Sequence, residues 1–236
     1  MKILGVITAR GGSKSIPRKN IKELCGKPLI VWTIEAAQQS GVFDRIVLST
    51  DDEEIAAVAR QHGVEVPFMR PPELAQDTTP HLPVMQHAVT WLKEHEGYEP
   101  DYVCILQPTA PLRQAWQLKE AVELLKKTGA DSVVSVVEIP GHFSPYWAVV
   151  ERDDGWAELF IGEPIQKRIP RRQDFPRRTY ANNGAIYLFK TNLLSERSKS
   201  NFYGELVKIY PMEEKYSINL DSPEDWVLAE MAMKTL

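Results

Sequence analysis

Four cations, Arg10, Lys14, Arg18 and Lys19, crowd around Gly11 and Gly12 in the stretch ITARGGSKSIPRKNI at 7–21. Glycines there let successive backbone N–H groups converge on one oxyanion, because a residue without a Cβ reaches conformations closed to others. Cations at that density match a strongly anionic guest, such as a nucleoside triphosphate carrying about four negative charges at neutral pH. The stretch is not a Walker loop: GxxxxGK[ST] is absent, and in CGKP the proline Pro28 stands where a metal-binding hydroxyl would be. GxGxxG is also missing, which disfavours a dinucleotide fold. By spacing alone the stretch reads equally well as a solvated surface turn after a first strand.

The elements around it follow from apolar runs and their breakers. Ile3 to Thr8 is a short apolar run ended by glycines, as a buried strand would be. Pro28 and Gly41 bracket a helix in PLIVWTIEAAQQSG. RIVLST is a second strand, and DDEEIAAVARQHG a helix with its acids at the positive N-terminal end. Asp51 and Asp52 are assigned to that helix start and left out of the site. VEVPFM reads as a third strand, TPHLPVMQHAVTWLKEH as a helix and DYVCILQP as a fourth strand. A helix with Leu118, Val122 and Leu125 on one face follows, then the β-branched run DSVVSVVEI. Alternating strands and helices predict an α/β fold, a mainly parallel sheet with helices on both faces. Ligands gather at the carboxyl ends of such strands. The glycine turn, STDDEE and LQPTAPLR all fall there.

From about Pro140 the rhythm changes. Two β-like runs flank Asp154-Gly155, a hairpin signal, and GEPIQKRIPRRQDFPRR follows with six cations. GAIYLFK restores a buried strand, and DSPEDWVLAEMAMKTL opens a last helix at Ser222, Pro223 and Asp225. Residues 140–180 are therefore read as an insertion into a core formed by 1–139 and 181–236.

Totals bound the function. Among 236 residues, 28 Lys and Arg stand against 32 Asp and Glu, and a net charge of −4 argues against a general affinity for nucleic acid. No apolar run approaches the roughly 18 to 20 residues that cross a bilayer, and MKILGVITARGG reads as a strand, not a signal peptide. Cys25 and Cys104 form no CxxC, and His62, His81, His87, His95 and His142 make no HExxH, so neither a disulfide framework nor catalytic zinc is expected. His81 falls near the candidate ligand segment but is not assigned as a base. A cytoplasmic location, with no membrane partner, is expected.

Five ordered motifs carry a resemblance across nearly the whole chain: ARGGSKSIPRKNI, RPPELAQDTT, LQPTAPLR, NNGAIY and NLDSPEDW. Together they resemble the acylneuraminate (CMP-sialic acid, or nonulosonic acid) cytidylyltransferase family. The resemblance implies a nucleotide-diphospho-sugar transferase-like fold in which the insertion is a small dimerisation subdomain. It implies that CTP and an acidic keto-sugar are the partners, and that the protein is a homodimer. Arg10, Gly11, Ser13, Lys14, Lys19 and Asn20 would hold the phosphates and ribose of CTP. Arg70, with Thr78 and Thr79, would recognise cytosine, and Gln107, Asn183 and Tyr187 would meet the sugar. Arg10 and Lys19 would stabilise charge moving onto pyrophosphate. Asp221 would bind Mg²⁺, with Mn²⁺ as a substitute. The family's pattern commonly offers two aspartates here, whereas this chain has Asn219 and Asp221, which puts a two-carboxylate site in doubt. Arg168, Arg171 or Arg172 of the insertion would reach a neighbour's sugar carboxylate. Two alternatives stand beside this reading: activation of the eight-carbon acid 3-deoxy-manno-octulosonate, and a non-catalytic nucleotide-binding protein on the same fold.

Overall fold

The computed structural model describes residues 1–195 and 201–235. In chain order its strands are β1 (Ile3–Thr8), β2 (Glu23–Leu24), β3 (Lys27–Pro28), β4 (Arg45–Ser49), β5 (Tyr102–Leu106), β6 (Ser132–Glu138), β7 (Val149–Glu151), β8 (Ala157–Leu159), β9 (Tyr180–Lys190) and β10 (Val207–Met212). Its α-helices are α1 (Leu29–Ser40), α2 (Glu53–Gln61), α3 (His81–Glu96), α4 (Ala115–Thr128) and α5 (Pro223–Met233). Six strands form the central sheet in the order β10-β6-β9-β5-β1-β4. The pairs β1/β4, β1/β5 and β10/β6 are parallel, while β9 runs antiparallel between β5 and β6. This is the expected α/β class, with one reversed strand in the middle of the sheet.

Two apolar clusters cover the sheet. One packs Ile7, Leu48, Cys104 and Leu188 against Ile30 and Ile34 of α1, Ile55 of α2 and Leu118 and Leu125 of α4. The other sets Leu4, Val6, Val103 and Phe189 against Met85, Ala88 and Leu92 of α3. Strands buried on both faces read as continuous apolar runs, which is why β1 and β5 were legible. A third cluster, Ile16, Leu24, Leu29, Leu220 and Trp226, ties the N-terminal loop to the start of α5. Burying a side chain such as Ile16 stabilises by about 1.5–3 kcal/mol, so this loop is held down by its own sequence.

The details depart from expectation in three places. VEVPFM is not a strand: only Glu65 bridges Val47, and Pro67 lacks the N–H a longer ladder would need. The strand read from GAIYLFK begins earlier, at Tyr180, and β10 has no counterpart in the sequence reading. In the inserted stretch, β7 and β8 pair antiparallel as a sheet of their own, with Gly155 in the turn at φ 82°. The last helix ends at Met233, and Leu236 lies outside the described residues.

Candidate functional site

Three parallel strands end on one rim, and their loops build a cleft of about 250 Å³. Thr8, Arg10, Ser13, Lys19 and Asn20 come from the loop after β1, and Gln107, Pro108 and Thr109 from the loop after β5. Arg70, Gln76, Asp77, Thr79 and His81 close it from the segment leading into α3.

The first loop is shaped by close approach. A Cβ on Gly11 would lie 2.6 Å from Asp52 Oδ2, and the Gly11 N–H donates to Asp51 Oδ1 at 3.0 Å. Asp52 caps α2 by accepting from the N–H groups of Glu54 and Ile55, both at 3.0 Å. It also accepts from Arg18, which holds its carboxyl below the usual carboxylate range. Arg18 stands in the left-handed region at φ 54°, a conformation costing about 1–2 kcal/mol that its pairing to Asp52 and Glu54 offsets. The acids of STDDEE thus cap a helix, as read, and also fix the glycine turn. The buried Asn20 amide donates to the carbonyl of Arg10 at 2.9 Å, closing the loop on itself.

Lys19 is the deepest cation of the loop. Its Nζ donates to the carbonyl of Leu220 at 2.8 Å, and burial pushes its pKa down despite nearby Asp221. Arg10 and Lys14 both pair with Asp77 from across the cleft. Arg70 is buried at 6% exposure, with Nε on Ser49 Oγ at 3.0 Å and Nη2 on the Ser49 carbonyl at 2.6 Å. Burial without a carboxylate partner pushes its pKa down to about 10, so it stays charged at neutral pH. His81 beside it is held neutral by burial first and by the Arg70 charge second.

Of the expected site residues, Arg10, Ser13, Lys19, Asn20, Arg70, Thr79 and Gln107 line this cleft. Gly11 and Lys14 flank it, and Thr78 is exposed beside it. Asn183 and Tyr187 do not line this cleft. The Asn183 amide is buried and consumed inside the protein, accepting from Ser135 Oγ at 2.6 Å and donating to Ser217 Oγ at 3.0 Å. Tyr187 packs in the α3-side core, its ring edge-on to Phe202 at 6.0 Å. Beside Asn183, Gly184 at φ 74° does reach the site: a Cβ there would lie 3.3 Å from Asn219 Oδ1 and 3.9 Å from Gln107 Oε1. In the insertion, Arg168 lies over the Trp147 ring at 4.5 Å, Arg171 pairs with Asp174, and Arg172 lines a separate cleft with Arg177 and Arg178.

Metal-binding capacity centres on one carboxylate. Among the described residues no group of three or more His, Cys, Asp or Glu could hold an ion. Asp221 is exposed next to Leu220, which Lys19 touches, and it accepts from Asn219 Nδ2 at 2.5 Å. Asn219 Oδ1 is buried with no hydrogen-bond partner. One carboxylate and an orphaned amide oxygen fit a hard cation that takes its remaining ligands from phosphates and water. Asp225 is occupied elsewhere, accepting from Ser222 and the Asp221 N–H at the start of α5.

Sequence reasoning missed Asp77 and Arg113. Asp77 is recognisable only when the segment before α3 is folded over the glycine turn. Arg113 ends LQPTAPLR and is fully buried, although an arginine there looks like a surface residue by type.

Solved structures share this α/β fold. A solved CMP:2-keto-3-deoxy-manno-octonic acid synthetase complexed with CTP superposes over 100% of this chain and 99% of its own, with a TM-score of 0.73 at 18% identity. The 4-diphosphocytidyl-2C-methyl-D-erythritol synthase of Anaerococcus prevotii matches with a TM-score of 0.68 at 14% identity, over 99% of this chain and 96% of its own. The sequence from residue 4 to 231 matches the cytidylyltransferase family model, and the chain belongs to that family of nucleotidyltransferases. CMP-N,N'-diacetyllegionaminic acid synthase of Legionella pneumophila is 38% identical over 99% of this chain and 97% of its own. N-acylneuraminate cytidylyltransferase A of Danio rerio is 39% identical over 97% of this chain, which spans only 50% of that relative's length. Pseudaminic acid cytidylyltransferase of Campylobacter jejuni is 49% identical over 52% of this chain and 53% of its own.

Proposed function

We propose that the protein activates an acidic nine-carbon keto-sugar of the sialic, legionaminic or pseudaminic type with CTP, giving the CMP-sugar and pyrophosphate. The observation that carries this is the cationic glycine turn after β1 facing Gln107 across one cleft, in a chain that matches the family from residue 4 to 231. Relatives named for all three sugars are 38–49% identical, whereas the eight-carbon-acid synthetase shares only the fold at 18%.

In this reading the sugar's anomeric hydroxyl attacks the α-phosphorus of CTP in line, and pyrophosphate leaves. Catalysis at phosphorus rests mainly on positioning and charge stabilisation. Ser13, Lys19 and Asn20 lie where the triphosphate would sit, and Arg10 and Lys14 would exchange Asp77 for phosphate oxygens. Arg70, braced on Ser49, has donors of the kind that suit the O2 and N3 acceptors of cytosine. Gln107 would donate to and accept from sugar hydroxyls. Asp221 and the Asn219 carbonyl oxygen would hold Mg²⁺, or Mn²⁺, which supplies charge withdrawal from the phosphates when bound. No side chain in the cleft is positioned as an obvious general base.

The insertion favours a homodimer. Phe143, Trp156 and Phe160 stand 63–74% exposed there, a display of apolar surface that a homodimer interface would cover.

Pyrophosphate release, measured with CTP, Mg²⁺ and each of the three nine-carbon acids and 3-deoxy-manno-octulosonate, tests the reading. Turnover on a nine-carbon acid is expected. Turnover on the eight-carbon acid alone, or CTP binding with no turnover on any sugar, would overturn it.

A further inference from the structure

Arg113 is a charge without a counter-ion among the described residues, buried behind Gln107 of the cleft. Its side chain is buried at 2% exposure, and among the described residues it forms no ion pair. Its Nη1 donates to the carbonyl of Ala185 at 2.7 Å and to that of Gln107 at 3.3 Å. Nε and Nη2 are buried with no partner. The titratable group that acts on it is Cys104, whose thiol burial pushes up to about 12, so it brings no negative charge. Burial pushes Arg113 down only to about 10, and the guanidinium is therefore charged at working pH. A buried cation in this state is costly, and structural clamps of two carbonyls do not require a full charge.

The two carbonyls it holds are informative. Gln107 directly follows β5 and lines the cleft. Ala185 follows Gly184, whose missing Cβ leaves room for Gln107 Oε1 and the orphaned Asn219 Oδ1 to face the same space. One guanidinium thus ties the cleft residue Gln107 to Ala185 of β9, the strand that flanks β5 on the side opposite β1. Among the described residues no acid pairs with it to quench its field, and low-dielectric surroundings carry that field further than water would.

We propose that Arg113 is a positioning residue for the acidic sugar, fixing Gln107 against the Gly184 turn and lending that end of the cleft the positive potential that favours the substrate's carboxylate. The proposal rests on the acidic-sugar reading given above and adds a residue that does not itself touch substrate. A clamp that only fixed Gln107 could raise the sugar KM but would be indifferent to the charge of the sugar, so the acid-to-amide preference is the deciding readout.

The test compares wild type with Arg113→Met and Arg113→Lys, using CTP with the acidic sugar and with its carboxamide analogue. In Arg113→Met the KM for the acid rises about tenfold while the KM for CTP moves less than about threefold, and the preference for acid over carboxamide falls about fivefold or more. Arg113→Lys keeps the charge but lacks the fork; it retains the acid preference while its sugar KM rises about threefold. A folded Arg113→Met with an unchanged acid-to-amide ratio, or with both KM values raised in parallel, overturns the proposal. If Arg113→Met does not fold, the outcome for Arg113→Lys decides: an unshifted sugar KM, or a lost acid preference, sinks it. Absence of wild-type turnover on any acidic sugar would overturn the underlying functional reading instead, which keeps the two failures distinct.

Discussion

Replacing Lys19 by Met removes the most buried cation of the turn while keeping most of its apolar stem. The ammonium has three donors, one of which is spent on the Leu220 carbonyl at 2.8 Å, leaving two for phosphate oxygens. Charge-assisted hydrogen bonds contribute about 1.5–3 kcal/mol each, so the two together amount to about 3–6 kcal/mol of transition-state stabilisation. At about 1.4 kcal/mol per factor of ten, kcat/KM should fall by about 10² to 10⁴. Burial spares this contact the screening that weakens exposed pairs. Pyrophosphate release gives the rate, and a thermal melt shows whether the fold survives. The pH profile adds a second reading. Desolvation lowers the Lys19 pKa from 10.5, and the ammonium is the active form, so the wild-type rate should decline on the alkaline side before pH 10.5 is reached. That limb should vanish from the residual activity of Lys19→Met. A folded Lys19→Met enzyme within about threefold of wild type would refute the assignment of Lys19 to the leaving phosphates.

Asn183→Ala removes one hydrogen bond each from Ser135 and Ser217, which keep their contacts to Ile186 and Glu213, and should cost about 1–3 kcal/mol of stability, seen as a lowered melting temperature with sugar KM unchanged; a raised sugar KM without a thermal shift would place Asn183 in the site. Asp77→Asn removes the carboxylate that competes for Arg10 and Lys14, and calorimetry should show tighter binding of inorganic pyrophosphate; weaker binding would make Asp77 part of the binding set. Asp131 accepts from Lys190 and from the Leu206 N–H, which lowers its pKa from 3.8 to about 2. Because the folded value is depressed, its contribution to stability is complete above about pH 4 and lost as pH falls through about 2. Acid melts of Asp131→Asn and wild type should therefore converge at low pH.

What could be read from the residues depended on whether a feature was local. The run of β1, its glycine turn and the apolar β5 declare themselves because strands buried on both faces carry uninterrupted apolar side chains and are punctuated by Gly or Pro. The edge strand β10 did not, since Val207 and Ile209 are exposed and Pro211 sits within it, a pattern that only an edge position tolerates. VEVPFM misled for the opposite reason: its composition suits a strand, but beside β4 only Glu65 bridges Val47, and Pro67 lacks the N–H a longer ladder would need. At the site, the cations of the turn and Gln107 were legible as loop residues at strand ends. Asn183 does not line the cleft, because its own amide turns inward to Ser135 while its neighbour Gly184 approaches Gln107. Asp77 and Arg113 depend on contacts 67 and 72 residues apart in the chain, which no local pattern announces.

The most direct test of the account is a crystal structure with CTP and Mg²⁺. The triphosphate should lie against Ser13, Lys19 and Asn20, with Arg10 and Lys14 released from Asp77 onto its oxygens and the cytosine beside Arg70. A nucleotide bound elsewhere, with Arg10 and Lys14 still paired to Asp77, would contradict it.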